Sequence, residues 1–95
     1  MKKFIIMHIG FEKPSPEDME KWMAWFGSVK DATVENIGFA GGREITKDGT
    51  SDLGWDAGCI TGMTIVNADS MEAAEAMAAG VPKITATRVY EVRSH

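Results

Sequence analysis

Apolar residues run unbroken over Phe4-Ile5-Ile6-Met7, meet His8, resume at Ile9 and stop at Gly10. Such a run predicts a strand over Lys3–Ile9, apolar on both faces and expecting cover on both sides of its sheet. By alternation His8 shares a face with Phe4 and Ile6. The period then lengthens. Met19, Trp22, Met23, Phe26, Val29 and Thr33 recur at spacings of three and four, the stripe of an amphipathic helix, and Trp25 widens it. Glu17, Glu20, Lys21 and Lys30 fall off the stripe. Ser15-Pro16-Glu17-Asp18 supplies the start, with Ser15 as N-cap, Pro16 in the first turn and Asp18 as the reciprocal acid.

Residues 36–58 hold six of the ten glycines, so turns and a mobile loop are expected. A short strand over Gly42–Thr46 with a turn at Lys47-Asp48-Gly49-Thr50 fits the middle of this segment. Cys59–Asn67, rich in β-branched residues, predicts the next strand. Asp69-Ser70-Met71-Glu72 reads as a capping box with Asp69 at the cap. The alanine-rich helix from Ser70 to Ala79 can lie close to a sheet, and Gly80 and Pro82 end it. Ile84–Arg93 is the last strand.

The order β-α-β-β-α-β fits an α+β, ferredoxin-like chain: a four-stranded antiparallel sheet with two helices on one face. The other face then stays bare, exposing either Phe4 and Ile6 or Ile5, Met7 and Ile9. A patch of that kind marks an interface, so a homodimer built sheet to sheet or edge to edge is expected. The alternative is a monomer whose glycine-rich loop folds over the open face.

Composition narrows the partners. Ninety-five residues allow one domain, 1–95, and 44% hydrophobic with 25% charged residues excludes a disordered or low-complexity chain. The single cysteine, Cys59, leaves no disulfide framework. No run approaches 18 apolar residues, and the apolar run after Lys2-Lys3 is too short for a signal peptide, so a cytoplasmic location is expected. A net charge of −4 argues against nucleic-acid or anionic-membrane partners. A base-stacking aromatic strand motif is also missing.

The residues resemble the YCII-related family of small dimeric α/β-barrel proteins over almost the whole chain. The likeness rests on the strand ending His8-Ile9-Gly10, on Ser15-Pro16-Glu17-Asp18-Met19 running into Trp22-Met23-Ala24-Trp25-Phe26, and on Gly62 with Thr64-Ile65-Val66-Asn67-Ala68-Asp69-Ser70-Met71-Glu72-Ala73-Ala74. The closing Val89-Tyr90-Glu91-Val92-Arg93 completes it. The resemblance implies the ferredoxin-like fold and a dimeric barrel. Some members of the wider family use a His–Asp pair in a cleft. Here such a pair can include only His8, because the second histidine, His95, is terminal. The Asp-Gly-Pro-Phe motif of related members is replaced by Asp52-Leu53-Gly54-Trp55-Asp56-Ala57-Gly58.

His8 is the candidate catalytic residue, a general acid or base for cofactor-independent chemistry. The plainer role is a hydrogen-bonded structural histidine. Arg43 and Arg88 are candidates for holding an anionic ligand bidentately, or else ion-pair partners of Glu44 or Glu91. Trp22 and Trp55 are candidate ligand-binding aromatics, Trp22 being equally suited to the core and Trp55 to a lid. Cys59 has no activating base in the sequence. Asp48, Asp52 and Asp56 lack calcium-loop spacing, Gly38, Gly41 and Gly42 lack a phosphate-loop signature, and one cysteine with two histidines makes no zinc set. No cofactor and no metal are expected. The functional expectation is a small-metabolite protein, binding or transforming an aromatic or anionic molecule between the sheet, the first helix and loop 47–58. The competing expectation is a dimerisation or interaction module without a substrate.

Overall fold

In a computed structural model, which describes residues 1–93, the chain folds as β1 (Lys2–Ile9), α1 (Pro16–Ser28), β2 (Thr33–Gly38), β3 (Gly42–Thr46), β4 (Gly49–Leu53), β5 (Ile60–Ala68), α2 (Met71–Ala79) and β6 (Ala86–Glu91). His95 lies outside the described residues. Four strands form one antiparallel sheet in the order β2-β5-β1-β6, and β3 and β4 form a separate two-stranded sheet. Each helix therefore links strands that are not neighbours, with a strand from the other half of the chain between them. That α+β arrangement is compatible with a ferredoxin-like fold carrying an inserted hairpin. No helix is long and apolar enough to cross a membrane among the described residues.

Three features of the sequence become structure directly. Ser15 caps α1 by accepting from the Asp18 amide at 3.1 Å, while the Asp18 carboxylate accepts from the Ser15 amide at 2.9 Å, a complete capping box. Phe4, Ile6 and Val66 are fully buried on one face of the sheet and join Trp25, Val29, Ala74 and Ala78 in one core, so both helices contribute to it. Alanines at 74 and 78 let α2 approach closely, as its composition suggested. Ile5, Met7, Met63 and Ile65 are half-buried on the opposite face, with Tyr90 half exposed beside them.

Other expectations are corrected. The second strand of the main sheet is Thr33–Gly38, not Gly42–Thr46, which pairs only with β4. Thr33 matched the helical spacing by coincidence. The helix ends at Ser28, and the chain reverses through Asp31-Ala32 so that Asn67 N–H donates to Ala32 O at 2.8 Å. The buried stripe of α1 runs through Trp22, Trp25, Phe26 and Val29, leaving Met19 and Met23 exposed. The rotation is set by Trp25, whose indole N–H donates to the Met77 carbonyl at 2.8 Å and so pins α1 to the end of α2. The cap of α2 is Ser70 rather than Asp69, and its hydroxyl accepts from the Ala73 amide. Segment 54–59 is tied down: Gly10 N–H donates to Cys59 O, Phe11 N–H to Asp56 O, and the Thr85 hydroxyl to Ala57 O. Gly10 is required there. Its φ is +105°, and a Cβ would lie 2.9 Å from the Thr85 nitrogen.

Candidate functional site

Strand register assembles the site. Gly38 opposes Gly62, Gly62 opposes His8, and His8 opposes Thr87, so one row across the helix-covered face reads Gly38, Gly62, His8, Thr87. The next row reads Asn36, Thr64, Ile6, Val89. Helix α1 lies over these rows and places Trp22 and Trp25 edge-on to the imidazole, with ring centroids 5.1 and 5.7 Å away. Two indoles thus wall a histidine that an apolar strand carries to the inner face.

His8 is 8% exposed. Its Nε2 shares a hydrogen bond of 2.9 Å with the Thr64 hydroxyl, while its Nδ1 is buried without a partner. The Thr87 hydroxyl oxygen, next to it across the strands, is also buried and unpartnered. Burial penalises the charged imidazolium, so the pKa falls to about 4 and the ring is neutral at pH 7. A neutral imidazole offers one donor and one acceptor. One nitrogen is committed to Thr64, and the other is buried with the ring.

The absence of two side chains opens space beside the ring. Gly38 and Gly62 leave a slot beside His8, a cleft of about 190 Å³ bordered also by Trp22, Asn36, Thr61 and Thr64. A Cβ at Gly62 would sit 2.5 Å from the Ile37 carbonyl oxygen, so β2 packs against β5 more closely than any other residue allows. The cleft lining includes no charged side chain. A second void, of only about 10 Å³, is bordered by His8, Trp22 and Thr87. That is about the volume of one water.

Of the residues singled out in the sequence, the structure brings together only His8 and Trp22. Arg43 stands on the exposed hairpin and pairs with Asp52 at 3.2 Å, not with Glu44. Arg88 opposes Met7 and so occupies the sheet face opposite His8, while Glu91 pairs with Lys2. Trp55 packs on Phe11, 5.5 Å between centroids, and borders a different hollow of about 390 Å³ at the root of the hairpin. Loop 47–58 therefore builds that hollow rather than closing the His8 cleft. Thr64, Thr87, Gly38 and Gly62 are not among the site candidates that the sequence offers. A hydroxyl inside an apolar strand and a glycine inside a β-branched one were the available signals, but register was needed to set them beside His8.

Among the described residues, no three His, Cys, Asp or Glu side chains gather as a metal site requires. Compared with protein-family models, curated proteins and solved structures, the chain matches none of them.

Proposed function

We propose that this chain is a dimeric α/β-barrel protein of YCII-related type that binds a small, uncharged, planar molecule in the cleft beside His8. The observation that carries this reading is the cleft itself, uncharged and walled by aromatic rings, which Gly38 and Gly62 open beside the hydrogen-bonded His8–Thr64 pair. The unpartnered His8 Nδ1 and Thr87 hydroxyl belong to residues that border the smaller void, about the volume of one water. The aromatic side chains of Trp22 and Phe26 suit a flat ring, and the lining without charge disfavours an ion. The anionic ligand expected from Arg43 and Arg88 loses its basis, since neither arginine borders this cleft.

Binding fits better than catalysis. General acid–base work is most efficient with a pKa near the working pH, and the His8 imidazole lies about three units below neutrality. The dimer is supported by the uncovered row Ile5, Met7, Met63 and Ile65, apolar on a face that no helix covers. The same face supports the second reading, an interaction module without a ligand.

A thermal-shift screen with uncharged heteroaromatic compounds tests the proposal. A ligand at about 100 times its Kd stabilises the native state by about 2.7 kcal/mol, and His8→Leu should abolish that shift while leaving a folded protein. A screen without stabilising compounds, or equal shifts in His8→Leu, would reject it.

A further inference from the structure

Two polar atoms share one small void. His8 Nδ1 and the Thr87 hydroxyl oxygen are each buried without a hydrogen-bond partner among the described residues. The two residues oppose each other across β1 and β6, and both border the void of about 10 Å³. No charged side chain lines it. A void of this size takes about one water, provided that two or more polar groups can hold it. An apolar void would stay dry.

The other ring nitrogen shows where the imidazole proton sits. Nε2 lies 2.9 Å from the Thr64 hydroxyl, which has no other hydrogen-bond partner among the described residues. Thr64 is 1% exposed, so bulk water does not serve it. The ring is neutral at pH 7 and carries one proton. With that proton on Nε2, the ring would donate to Thr64, and the Thr64 hydroxyl hydrogen would be buried without an acceptor. With the proton on Nδ1, the Thr64 hydroxyl donates to Nε2, and the orphan disappears. Leaving a buried donor unmatched is costly enough to favour the second arrangement by about tenfold or more. That arrangement needs an acceptor at Nδ1, and the void has room for one.

We propose that the void is a site for one buried water, held between His8 Nδ1 and the Thr87 hydroxyl, and that this water and Thr64 together fix His8 as the tautomer protonated on Nδ1. Thr87 is then a positioning residue, acting on the ring through the water. The consequence falls on the cleft, which Thr64 also borders. A hydroxyl whose hydrogen is committed to Nε2 can only accept. On the cleft reading above, an uncharged planar molecule that bonds to Thr64 must therefore bring an N–H or O–H donor, as an N-unsubstituted heterocycle does and its N-methyl counterpart does not.

The test needs no ligand. Two-bond ¹H–¹⁵N correlation spectra of protein labelled with ¹⁵N-histidine distinguish a protonated ring nitrogen from a bare one, and His95→Ala leaves His8 as the sole histidine. At pH 7 His8 should show a protonated Nδ1 and a bare Nε2, with the other tautomer at about a tenth or less. A high-resolution crystal structure should show one ordered water within hydrogen-bonding distance of both Nδ1 and the Thr87 hydroxyl. Thr87→Val, which keeps the shape but not the hydroxyl, should remove that water, and Thr87→Ser should retain it. A proton on Nε2, a parent protein without the water, or a water that persists in Thr87→Val overturns the inference. Neither readout depends on an occupied cleft, so such a failure leaves the proposed ligand standing, while a failed ligand screen leaves the tautomer standing.

Discussion

Acidification provides a sharp test of the buried imidazole. His8 is held neutral in the folded state, with a pKa lowered from 6.5 to about 4 by burial. In the unfolded chain the ring takes up a proton near pH 6.5, so between pH 6.5 and 4 the unfolded state binds more protons than the native state. Stability must then fall as pH falls through that window, and flatten below it. Lowering the pKa from 6.5 to about 4 corresponds to about 3 kcal/mol in total. The groups packed against the ring from α1, β5 and β6 are Trp22, Trp25, Thr64 and Thr87, and none of them titrates here. Urea denaturation at half-unit steps from pH 7.5 to 3.5, followed by tryptophan fluorescence, reads the loss. His8→Gln, which keeps an amide nitrogen for Thr64 and cannot titrate, is the comparison. The parent should lose about 3 kcal/mol relative to this variant over the window. Parallel pH profiles for the two proteins would refute the account of a buried neutral ring. Asp18 contributes with the same sign but lower in pH: its carboxylate is held below 3.8 by the Ser15 amide and hydroxyl, so its part is lost only once the pH drops below that value.

The remaining predictions concern packing. Trp25→Ala removes a nearly buried indole and its hydrogen bond to Met77 O, and should cost about 3–5 kcal/mol in urea denaturation. Gly62→Ala forces the Ile37 carbonyl away from a contact of 2.5 Å. It should cost about 1–3 kcal/mol and perturb the β2 amide signals in NMR more than those of β6. Thr64→Val strips the His8 Nε2 of its partner. A loss of about 1–3 kcal/mol is expected, measurable by differential scanning calorimetry. Ser15→Ala breaks the capping box of α1, with a loss of about 1 kcal/mol and earlier amide exchange in the first turn of that helix.

The parts of the molecule legible in the sequence are those whose signal is local. A capping box announces α1, alternation puts His8 beside Phe4 and Ile6, and the unbroken apolar run marks β1 as a strand. The errors arise where the signal is shared between elements. Val29 and Thr33 have helical spacing, yet one closes α1 and the other opens β2. Gly42–Thr46 has a strand's composition, yet strand composition does not say which sheet a strand joins. Long-range register is invisible to a linear reading, so the row Gly38, Gly62, His8, Thr87 had no single-residue signature. Arg43, Arg88 and Trp55 illustrate the converse. Their chemistry is suited to a ligand site, but topology sends them to the hairpin, the far face and another hollow.

The most direct test of the cleft is a protein-observed NMR titration of the ¹⁵N-labelled chain with uncharged planar heteroaromatic compounds and, separately, with aromatic carboxylates. The account predicts that an uncharged compound shifts the backbone amides of Gly38 and Gly62, the Trp22 indole and the His8 ring nitrogens, while the Trp25 indole keeps its bond to Met77 and moves little. Shifts confined to Trp55 and Cys59, or binding by carboxylates alone, would contradict it.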